Sequence, residues 1–286
     1  MAIPNMSTEA LVTRIRELLV CPECHGPLTV ENDAIKCAAS DFTGSIRDGV
    51  VILLEETFSS FFDDKFAIMQ RGHEDQGEWD LFYAEQTRLL EGYLKPGALV
   101  VDVGCGPSLS YRKNGAFVVG LEPSFPSIQN NRDVDLGIMG SAAKMPFGNR
   151  TVDMIICFYS VHHMVGDSIR ETRDLVTSAF REFVRVIKPG GSLFVYEVIP
   201  MAAAAVVQSL AWNPVRRLMR KKLDMHFWTA GFFDELRSDL MPDSVLEKVS
   251  FQSSPNTVFR PVFSLPQLKI YRFMYPLAPK LFKFLF

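Results

Sequence analysis

Two carboxylates and two glycines in the middle of the chain are spaced for binding a nucleoside. Asp102 lies near the end of an apolar run, just before Gly104 and Gly106, and Glu122 ends the next apolar run twenty positions later. Glycine lets the backbone approach a ligand closely, because it has no side chain. An acidic residue at the end of the second strand can accept hydrogen bonds from a ribose diol. The spacing therefore predicts a ligand that contains a nucleoside.

The acid before the first glycine distinguishes this turn from a dinucleotide-binding turn. Dinucleotide sites carry a third glycine three positions after the second, and a helix N-terminus there receives the pyrophosphate. This chain has no glycine three positions after Gly106. The Asp102 carboxylate would repel a pyrophosphate but attract an ammonium group. The turn thus favours S-adenosylmethionine, whose methionyl end carries an amine, and disfavours the alternative of a nicotinamide-dependent oxidoreductase.

Further segments extend the pattern, and together they resemble the class I S-adenosylmethionine-dependent methyltransferases that act on small molecules. Residues 141–147 resemble that family's adenine loop, residues 151–157 its fourth strand, and residues 160–164 the start of the helix after that strand. Residues 181–193 resemble the later helix, the Pro-Gly-Gly turn and the fifth strand. An ordered set of motifs over roughly residues 96–200 is far more specific than one glycine turn. The resemblance implies an α/β, Rossmann-like fold with a seven-stranded, mostly parallel sheet whose last strand is antiparallel.

The resemblance assigns S-adenosylmethionine binding to residues at the ends of the first four strands of this sheet. They are Asp102, Gly104, Cys105, Gly106, Glu122, Pro123, Ser141, Ala142 and Tyr159. Two positions depart from the family pattern, because Ser141 replaces an aspartate that contacts the adenine amino group and Ser108 replaces a glycine. The segment 107–114 has room for only about two helical turns, where the family has a longer helix.

Two adjacent histidines are candidates for the base that removes a proton from a methyl acceptor. His162 and His163 follow the predicted fourth strand, and imidazole has a pKa near working pH. The alternative is that one histidine caps the following helix while the other packs in the core. Glu197 ends the predicted fifth strand and contacts either the acceptor or a helix end. Cys105 and Cys157 lie among apolar residues, where we expect protonated, unreactive thiols.

The N-terminal segment contains a cysteine knuckle with part of a zinc-ligand set. Three thiols could bind one zinc ion: those of Cys21, Cys24 and Cys37. Ser40 stands where a fourth thiol would be. The segment resembles zinc-ribbon-like modules that are fused to, or partner with, some methyltransferases. Two alternatives stay open: His25 or Asp41 completes a zinc site, or the ribbon has lost its metal and folds through its apolar residues.

Changes in composition divide the chain into four predicted regions. They are a zinc-ribbon-like β module over 1–56, a helical linker or lid over 57–95, a cofactor-binding core over 96–200, and over 201–286 a helical insertion, a closing β-hairpin and an apolar tail. In the last region we predict helices over 202–210 and 229–240 and strands over 244–250 and 257–263.

Composition predicts an ordinary globular protein of the cytoplasm. The chain has 286 residues, of which 48% are hydrophobic and 22% are charged, and these values suit a sizeable core. The five cysteines are odd in number and two of them fall in predicted core elements, so a disulfide framework is not expected. No basic leader followed by an apolar segment precedes the first module, so we expect no secretory signal.

Charge patterning narrows the choice of partner. A net charge of −3 and a pI near 6.0 argue against a general nucleic-acid binder. Residues 213–222 carry five cations and residues 273–286 are strongly apolar. This combination resembles a peripheral anchor at the inner face of a membrane, and the alternative is a solvated basic face with a tail packed on the core. We expect a methyltransferase for a small or lipid-linked metabolite, with an RNA methyltransferase and a catalytically silent partner or activator as alternatives.

Overall fold

The structure, a computed structural model, describes residues 7–54, 77–219, 225–245, 251–253 and 282–285. The chain divides into two compact units. The first consists of Met1–Asp63, Leu90–Phe158 and Ser178–Phe194, and the second of Asp64–Leu89, Tyr159–Thr177 and Val195–Phe286. Each unit is therefore assembled from three separate stretches of the chain.

The first unit begins with a helix and a four-stranded antiparallel ribbon. Helix α1 (Thr8–Leu18) starts at Ser7, whose side chain accepts a hydrogen bond from the Ala10 N–H. The ribbon strands are β1 (Leu28–Glu31), β2 (Ala34–Cys37), β3 (Thr43–Arg47) and β4 (Val50–Ile52). Asn32 and Asp33 join β1 to β2 with positive φ angles of 48° and 64°, which a tight two-residue hairpin requires.

Parallel strands form the centre of the first unit. They are β5 (Leu99–Val103), β6 (Phe117–Glu122), β7 (Leu136–Met139) and β8 (Val152–Phe158), and β9 (Ile187–Pro200) lies beside β8. Strand β5 pairs in parallel with β6 and β8, and β6 pairs in parallel with β7. Almost every residue of β5 to β8 is buried, as expected for parallel strands covered on both faces. Three helices precede or alternate with these strands along the chain. They are α2 (Gly77–Tyr93), α3 (Phe125–Asn130) and α4 (Ile169–Val186).

The ribbon joins the central strands through a parallel pair. In this pair β4 lies beside β7, with Val51 opposite Ile138 and Ile52 opposite Met139. All four side chains are buried. The strand order is β1-β2-β3-β4-β7-β6-β5-β8-β9, so the ribbon and the central strands form one continuous sheet in the first unit.

The second unit contains the helices and strands that follow β9. They are α5 (Ala202–Met219), α6 (Ala230–Leu240), β10 (Phe251–Ser253) and β11 (Phe282–Leu285). Strand β11 pairs antiparallel with the end of β9, and β10 pairs antiparallel with β11. The α/β, Rossmann-like fold class is confirmed, since β5 to β11 are seven strands with an antiparallel member, and the ribbon extends the sheet to eleven.

The last strands differ from the prediction in position. The strands predicted over 244–250 and 257–263 lie outside the described residues, except for 244–245, which are not in a strand. In the described part of this region, the strands are β10 and β11. Strand β11 comes from the apolar tail, where Lys283 stands opposite Ile199 of β9. Residues 282–285 of the apolar tail therefore pair with the end of β9 through their backbone.

The helix predicted over 202–210 is longer in the structure. It continues as α5 through Pro214 to Met219, and Trp212 in this extension is buried. Tertiary packing thus prolongs the helix beyond the residues whose pattern predicts it. The helix predicted over 229–240 is confirmed as α6, and Thr229 caps it by accepting a hydrogen bond from the Phe232 N–H. Within the described part of the chain, no helix is both long and apolar enough to cross a membrane.

Candidate functional site

A buried carboxylate lies near the carboxyl end of β5. Asp102 is 3% exposed, and its Oδ2 atom accepts a hydrogen bond of 2.8 Å from the hydroxyl of Tyr111. Its Oδ1 atom has no hydrogen-bond partner among the residues that the structure describes. Burial raises the pKa of Asp102 to about 7, although the Tyr111 hydrogen bond acts in the opposite direction. The carboxylate is therefore poised to gain a partner that carries positive charge or donates a hydrogen bond.

The segment after the glycine turn contains no helix, so the short helix predicted over 107–114 is wrong. Gly104 and Gly106 have positive φ angles of 70° and 60°, and turns and bends continue to residue 116. The backbone N–H of Leu109 donates to the Asp133 carboxylate at 2.9 Å instead of forming a helical bond. Tyr111, which the sequence did not single out, enters the site from this segment through its bond to Asp102.

The Glu122 carboxylate connects the glycine turn to the residues after β6. One oxygen accepts a hydrogen bond of 3.1 Å from the Gly106 N–H, and the other accepts one of 3.0 Å from the Ser124 N–H. The Asn131 side chain donates to the Gly106 carbonyl at 2.9 Å, a contact that the sequence motifs did not predict. A carboxylate has about four acceptor positions. Glu122 can therefore hold the turn and still accept a bond from a ligand hydroxyl.

The loop after β7 follows the third strand at the same sheet edge. Ser141 and Ala142 are half-buried, and the Ser141 hydroxyl accepts a hydrogen bond of 3.2 Å from the Ala143 N–H. Because β5, β6 and β7 are parallel neighbours, this loop lies at the same edge as Asp102 and Glu122. Pro123, also half-buried, directly follows Glu122 there. The first unit thus brings together every predicted cofactor residue except Tyr159.

The N-terminal ribbon contacts this loop directly. The Val20 N–H donates to the Pro146 carbonyl at 3.0 Å, and Glu23 forms an ion pair of 2.7 Å with Lys144. The exposed ion pair contributes little by itself, but the backbone bond and a bridge between Leu19 and Phe147 add to it. The ribbon therefore helps to fix the position of the loop that carries Ser141.

Tyr159 belongs to the second unit and has a strained backbone. Its φ angle is +51°, in the left-handed region that a bulky residue rarely adopts. Its hydroxyl donates to the Gln86 side-chain oxygen at 2.9 Å, and its N–H donates to the Tyr196 carbonyl at 2.8 Å. The surrounding hydrogen bonds hold Tyr159 in this conformation directly after β8.

A histidine and a glutamate form a buried pair in the second unit. His162 contacts Glu197 through Nδ1, and its backbone N–H donates to the other carboxylate oxygen at 3.2 Å. Glu197 is fully buried and also accepts a bond of 2.8 Å from the Val198 N–H. Such a carboxylate fixes the tautomer and orientation of the imidazole. Within the described residues, Nδ1 is the only ring nitrogen of His162 that makes a hydrogen bond.

Aromatic rings surround His162. His163 is half-buried, and its ring centroid lies 4.1 Å from that of His162. The ring of Phe227 stacks on His162 at 5.2 Å with an interplanar angle of 29°. Glu197 therefore contacts a helix end, because its carboxylate accepts the His162 N–H in the short 3₁₀-helix Val161–His163 that contains both histidines.

The cysteine knuckle forms a cluster that fits a zinc ion. The Sγ atoms of Cys21, Cys24 and Cys37 lie within 4.8 Å of one another. Ser40 Oγ is 3.4 Å from Cys21 Sγ and is thus the fourth group of the cluster. Neither His25 nor Asp41 belongs to it among the described residues. The Ser40 hydroxyl and the Ala39 N–H lower the pKa of Cys37 to about 7, which favours the thiolate that a metal requires.

The remaining two cysteines are core residues. Cys105 and Cys157 are both buried in the first unit. Burial raises the pKa of Cys105 well above its ordinary value, and the neighbouring Asp102 and Glu122 carboxylates act in the same direction. The Cys105 thiol is therefore protonated, as expected from its apolar neighbours.

The central part of the chain, which includes Asp102 and Glu122, matches a known protein family. Residues 101–195 match the family model described as a methyltransferase domain. A UPF0434 protein from Methylibium petroleiphilum is 47% identical over 45 residues, which are 15% of this chain and 69% of that protein. Residues 101–195 therefore carry a methyltransferase domain. Over 45 residues the chain belongs to the UPF0434 family.

A solved structure has a similar fold. The cyclopropane synthase MmaA2 from Mycobacterium tuberculosis aligns with a TM-score of 0.52 and 14% sequence identity, over 71% of this chain and 81% of that one. At this identity the likeness concerns the fold alone.

Two curated relatives of the chain have names that indicate different substrates. A demethylmenaquinone methyltransferase from Corynebacterium kroppenstedtii is 32% identical over 125 residues, covering 41% of this chain and 50% of that protein. A probable tRNA methyltransferase 9B from Mus musculus is 30% identical over 105 residues, covering 36% of this chain and 22% of that protein. The chain thus spans between about a fifth and a half of the length of these relatives.

Replacing Asp102 with asparagine should change how stability depends on pH. The pKa of Asp102 is about 7 in the folded chain and 3.8 ordinarily, so between these values the unfolded chain loses a proton that the folded chain keeps. The Asp102 contribution to the free energy of unfolding therefore falls as pH rises from about 4 to about 7. Relative to wild type, Asp102→Asn should gain up to about 4 kcal/mol across this window.

Urea unfolding at several pH values between 4 and 8 measures this difference. Asp33→Asn, at an exposed hairpin position that also suits asparagine, is the control and should show no such trend. A constant difference between Asp102→Asn and wild type at every pH would contradict the prediction.

Proposed function

We propose that this methyltransferase binds S-adenosylmethionine at the carboxyl ends of β5, β6 and β7. The supporting observation is the pair of buried carboxylates, Asp102 and Glu122, on either side of a turn whose glycines have positive φ. The free Oδ1 atom of Asp102 suits the ammonium of the methionyl end. Glu122 suits the ribose hydroxyls, while Gly104, Cys105 and Gly106 provide the turn that passes close to the ligand.

The remaining cofactor contacts belong to the same proposal. Pro123 and Ala142 would pack against the adenine, and the Ser141 hydroxyl would replace the carboxylate that the family uses there. A neutral hydroxyl gives a weaker hydrogen bond than a carboxylate. Tyr159 completes the proposed set of cofactor residues. We also propose that the four regions predicted from the sequence meet after residues 56, 95 and 200.

Methyl transfer from this cofactor is an in-line displacement. The acceptor atom would form a bond to the methyl carbon while the bond between that carbon and sulfur breaks. The electron pair of the broken bond would stay on sulfur, so that the positively charged sulfonium becomes the neutral thioether of S-adenosylhomocysteine. Holding the acceptor in line supplies much of the rate. An acceptor that starts with an O–H or N–H bond must also lose a proton, which a nearby base takes.

Removing the charge of Glu122 should weaken cofactor binding. Glu122→Gln keeps one oxygen for the Gly106 N–H but loses the charge-assisted bonds to the ribose. We expect the dissociation constant for S-adenosylmethionine to rise about tenfold or more, since a bond to a charged group contributes about 1.5–3 kcal/mol. Isothermal titration calorimetry measures this constant.

Glu31→Gln is the matched control, because Glu31 is an exposed residue at the end of β1. Its affinity for S-adenosylmethionine should equal that of wild type. If wild type binds no S-adenosylmethionine, the alternative of a catalytically silent partner or activator is favoured over the enzyme.

We propose His162 as the base, with Glu197 as its positioning residue. The Glu197 carboxylate holds Nδ1, which leaves Nε2 as the atom that can take a proton from the acceptor. Glu197 also stabilises the imidazolium that results, because opposite charges attract strongly in a buried site. His163 is the second candidate from the sequence, and its neighbouring position makes it the natural comparison.

Separate replacement of the two histidines tests this assignment. His162→Gln should lower the rate of S-adenosylhomocysteine formation by about 10²–10⁴-fold, the usual contribution of a general base. His163→Gln should change the rate by less than about threefold, and Glu197→Gln should lower kcat without changing the affinity for S-adenosylmethionine. Equal rates for His162→Gln and wild type would reject His162 as the base.

The acceptor that we propose is a small or lipid-linked metabolite. The net charge of −3 disfavours a nucleic acid, while the basic run over 213–222 would suit a lipid-linked acceptor. One relative is a demethylmenaquinone methyltransferase, which agrees with this class, and the tRNA methyltransferase relative keeps RNA as the second candidate. Measuring the rate of S-adenosylhomocysteine formation with purified lipid, small-molecule and tRNA acceptors distinguishes a metabolite acceptor from an RNA acceptor.

We also propose that the ribbon binds a structural zinc ion through Cys21, Cys24 and Cys37, with Ser40 beside them. A structural zinc stabilises a small module by cross-linking its turns. Native mass spectrometry should detect one zinc ion per chain. Ser40→Cys should bind zinc more tightly than wild type in competition with a chelator, because a thiolate is a better zinc ligand than a hydroxyl.

Ser45→Cys places a new thiol on β3 of the same ribbon and is the control, for which we expect wild-type zinc affinity. Absence of zinc from wild type, with binding only in Ser40→Cys, would show that the natural ribbon has lost its metal.

A further inference from the structure

One histidine ring contacts two tryptophan rings inside the second unit. Trp212 lies on α5, and His226 and Trp228 lie in the segment before α6. The ring centroid of His226 is 4.7 Å from that of Trp212 and 4.4 Å from that of Trp228. The three residues are 2%, 2% and 7% exposed, respectively. They form a cluster, here called the indole–imidazole cluster, that is nearly removed from solvent.

The hydrogen bonds of Gln208 determine which nitrogen of His226 carries the proton. The Phe227 N–H donates to Gln208 Oε1 at 3.1 Å, and Gln208 Nε2 donates to the Phe227 carbonyl at 2.9 Å. These two bonds fix the orientation of the amide. Gln208 Nε2 is also 3.2 Å from His226 Nε2, which must therefore accept. In a neutral imidazole the proton then sits on Nδ1.

Three ring N–H donors of the cluster have no hydrogen-bond partner among the described residues. They are the buried atoms Trp212 Nε1, His226 Nδ1 and Trp228 Nε1. Burial also lowers the pKa of His226 to about 4, so the ring is neutral at physiological pH. Native proteins rarely leave several buried N–H groups unsatisfied in one place. The cluster thus presents three uncharged donors and lacks the oxygen acceptors that would satisfy them.

The cluster is connected to the proposed base. The His226 N–H donates to the His162 carbonyl at 2.8 Å, and Phe227, next in the chain, stacks on the His162 ring. A ligand bound at the cluster would therefore lie close to the His162 side chain. One molecule could place an oxygen at the donors and a hydroxyl at the base.

We propose that the indole–imidazole cluster binds the carbonyl or carboxylate oxygens of the methyl acceptor, and that this acceptor also carries the hydroxyl group that is methylated. The inference rests on the proposed function and specifies its substrate class. The donors favour oxygen acceptors and reject an ammonium group, which has no lone pair. The hydroxyl oxygen forms the bond to the methyl carbon, and its proton moves to His162 Nε2.

Two small probes of similar size test the chemistry of this site. 4-Hydroxyphenylacetate and tyramine share a phenol ring, but the first carries a carboxylate and the second an ammonium. Calorimetry with the full chain should show saturable binding of 4-hydroxyphenylacetate and none of tyramine. Nuclear magnetic resonance of 15N-labelled protein should show two of the three indole N–H signals moving with 4-hydroxyphenylacetate, because the chain has three tryptophans.

Phenylalanine replacements remove the donors and keep aromatic rings in place. Trp212→Phe and Trp228→Phe should each weaken 4-hydroxyphenylacetate binding by about fivefold or more, the typical value of one hydrogen bond. Trp79→Phe, at the third tryptophan, is the control and should bind like wild type. The resonance measurement on wild type needs no variant, so a variant that fails to fold does not remove the test.

The outcomes separate this inference from the proposed function. S-adenosylmethionine is titrated into the same samples, and its failure to bind would overturn the proposed function. Binding of S-adenosylmethionine without binding of 4-hydroxyphenylacetate would overturn the inference. Equal binding of both probes would also overturn it, because the donors would then not select oxygen acceptors.

Discussion

The hydrogen bonds of the Glu122 carboxylate are the interaction on which the candidate cofactor site depends. They join the glycine turn after β5 to the start of α3 after β6, through the N–H groups of Gly106 and Ser124. Because no helix follows the glycine turn, this turn lacks the support that helical hydrogen bonds usually provide. Glu122 and Asn131 supply that support with side-chain bonds. One carboxylate thus has both a structural role and a proposed binding role.

The burial of Asp102 shows how binding and stability oppose each other in this site. A carboxylate that is removed from water without a cation is costly, and the raised pKa of Asp102 expresses that cost. The Tyr111 hydroxyl satisfies one oxygen and leaves the other unsatisfied. A cationic ligand would remove the penalty, so part of the unfavourable energy in the free protein becomes binding energy in the complex.

Local patterns made most of the central sheet predictable. Continuous apolar runs predicted the buried parallel strands, and Thr229 at a helix start predicted α6 within one residue. The position of Ser40 beside the cysteines was also predictable from the knuckle, and its hydroxyl lies 3.4 Å from the Cys21 thiol. Distant contacts decide what local patterns did not predict. The segment 107–114 stays non-helical because Asp102 and Asp133 bind its groups. Strand β11 pairs with β9, and the tautomer of His226 depends on Gln208, neither of which a local pattern indicates.

The parallel pairing of β4 with β7 also protects the chain from aggregation. Strand β7 consists of four buried residues, and on the side away from β6 its backbone groups bond to β4. An unpaired apolar edge of this kind is a template for strands of other molecules. The ribbon covers it from within the same chain, so the cover does not depend on protein concentration. On this side the sheet instead ends at β1, whose alternate residues are exposed. One of them is Glu31, whose charge discourages pairing with another molecule.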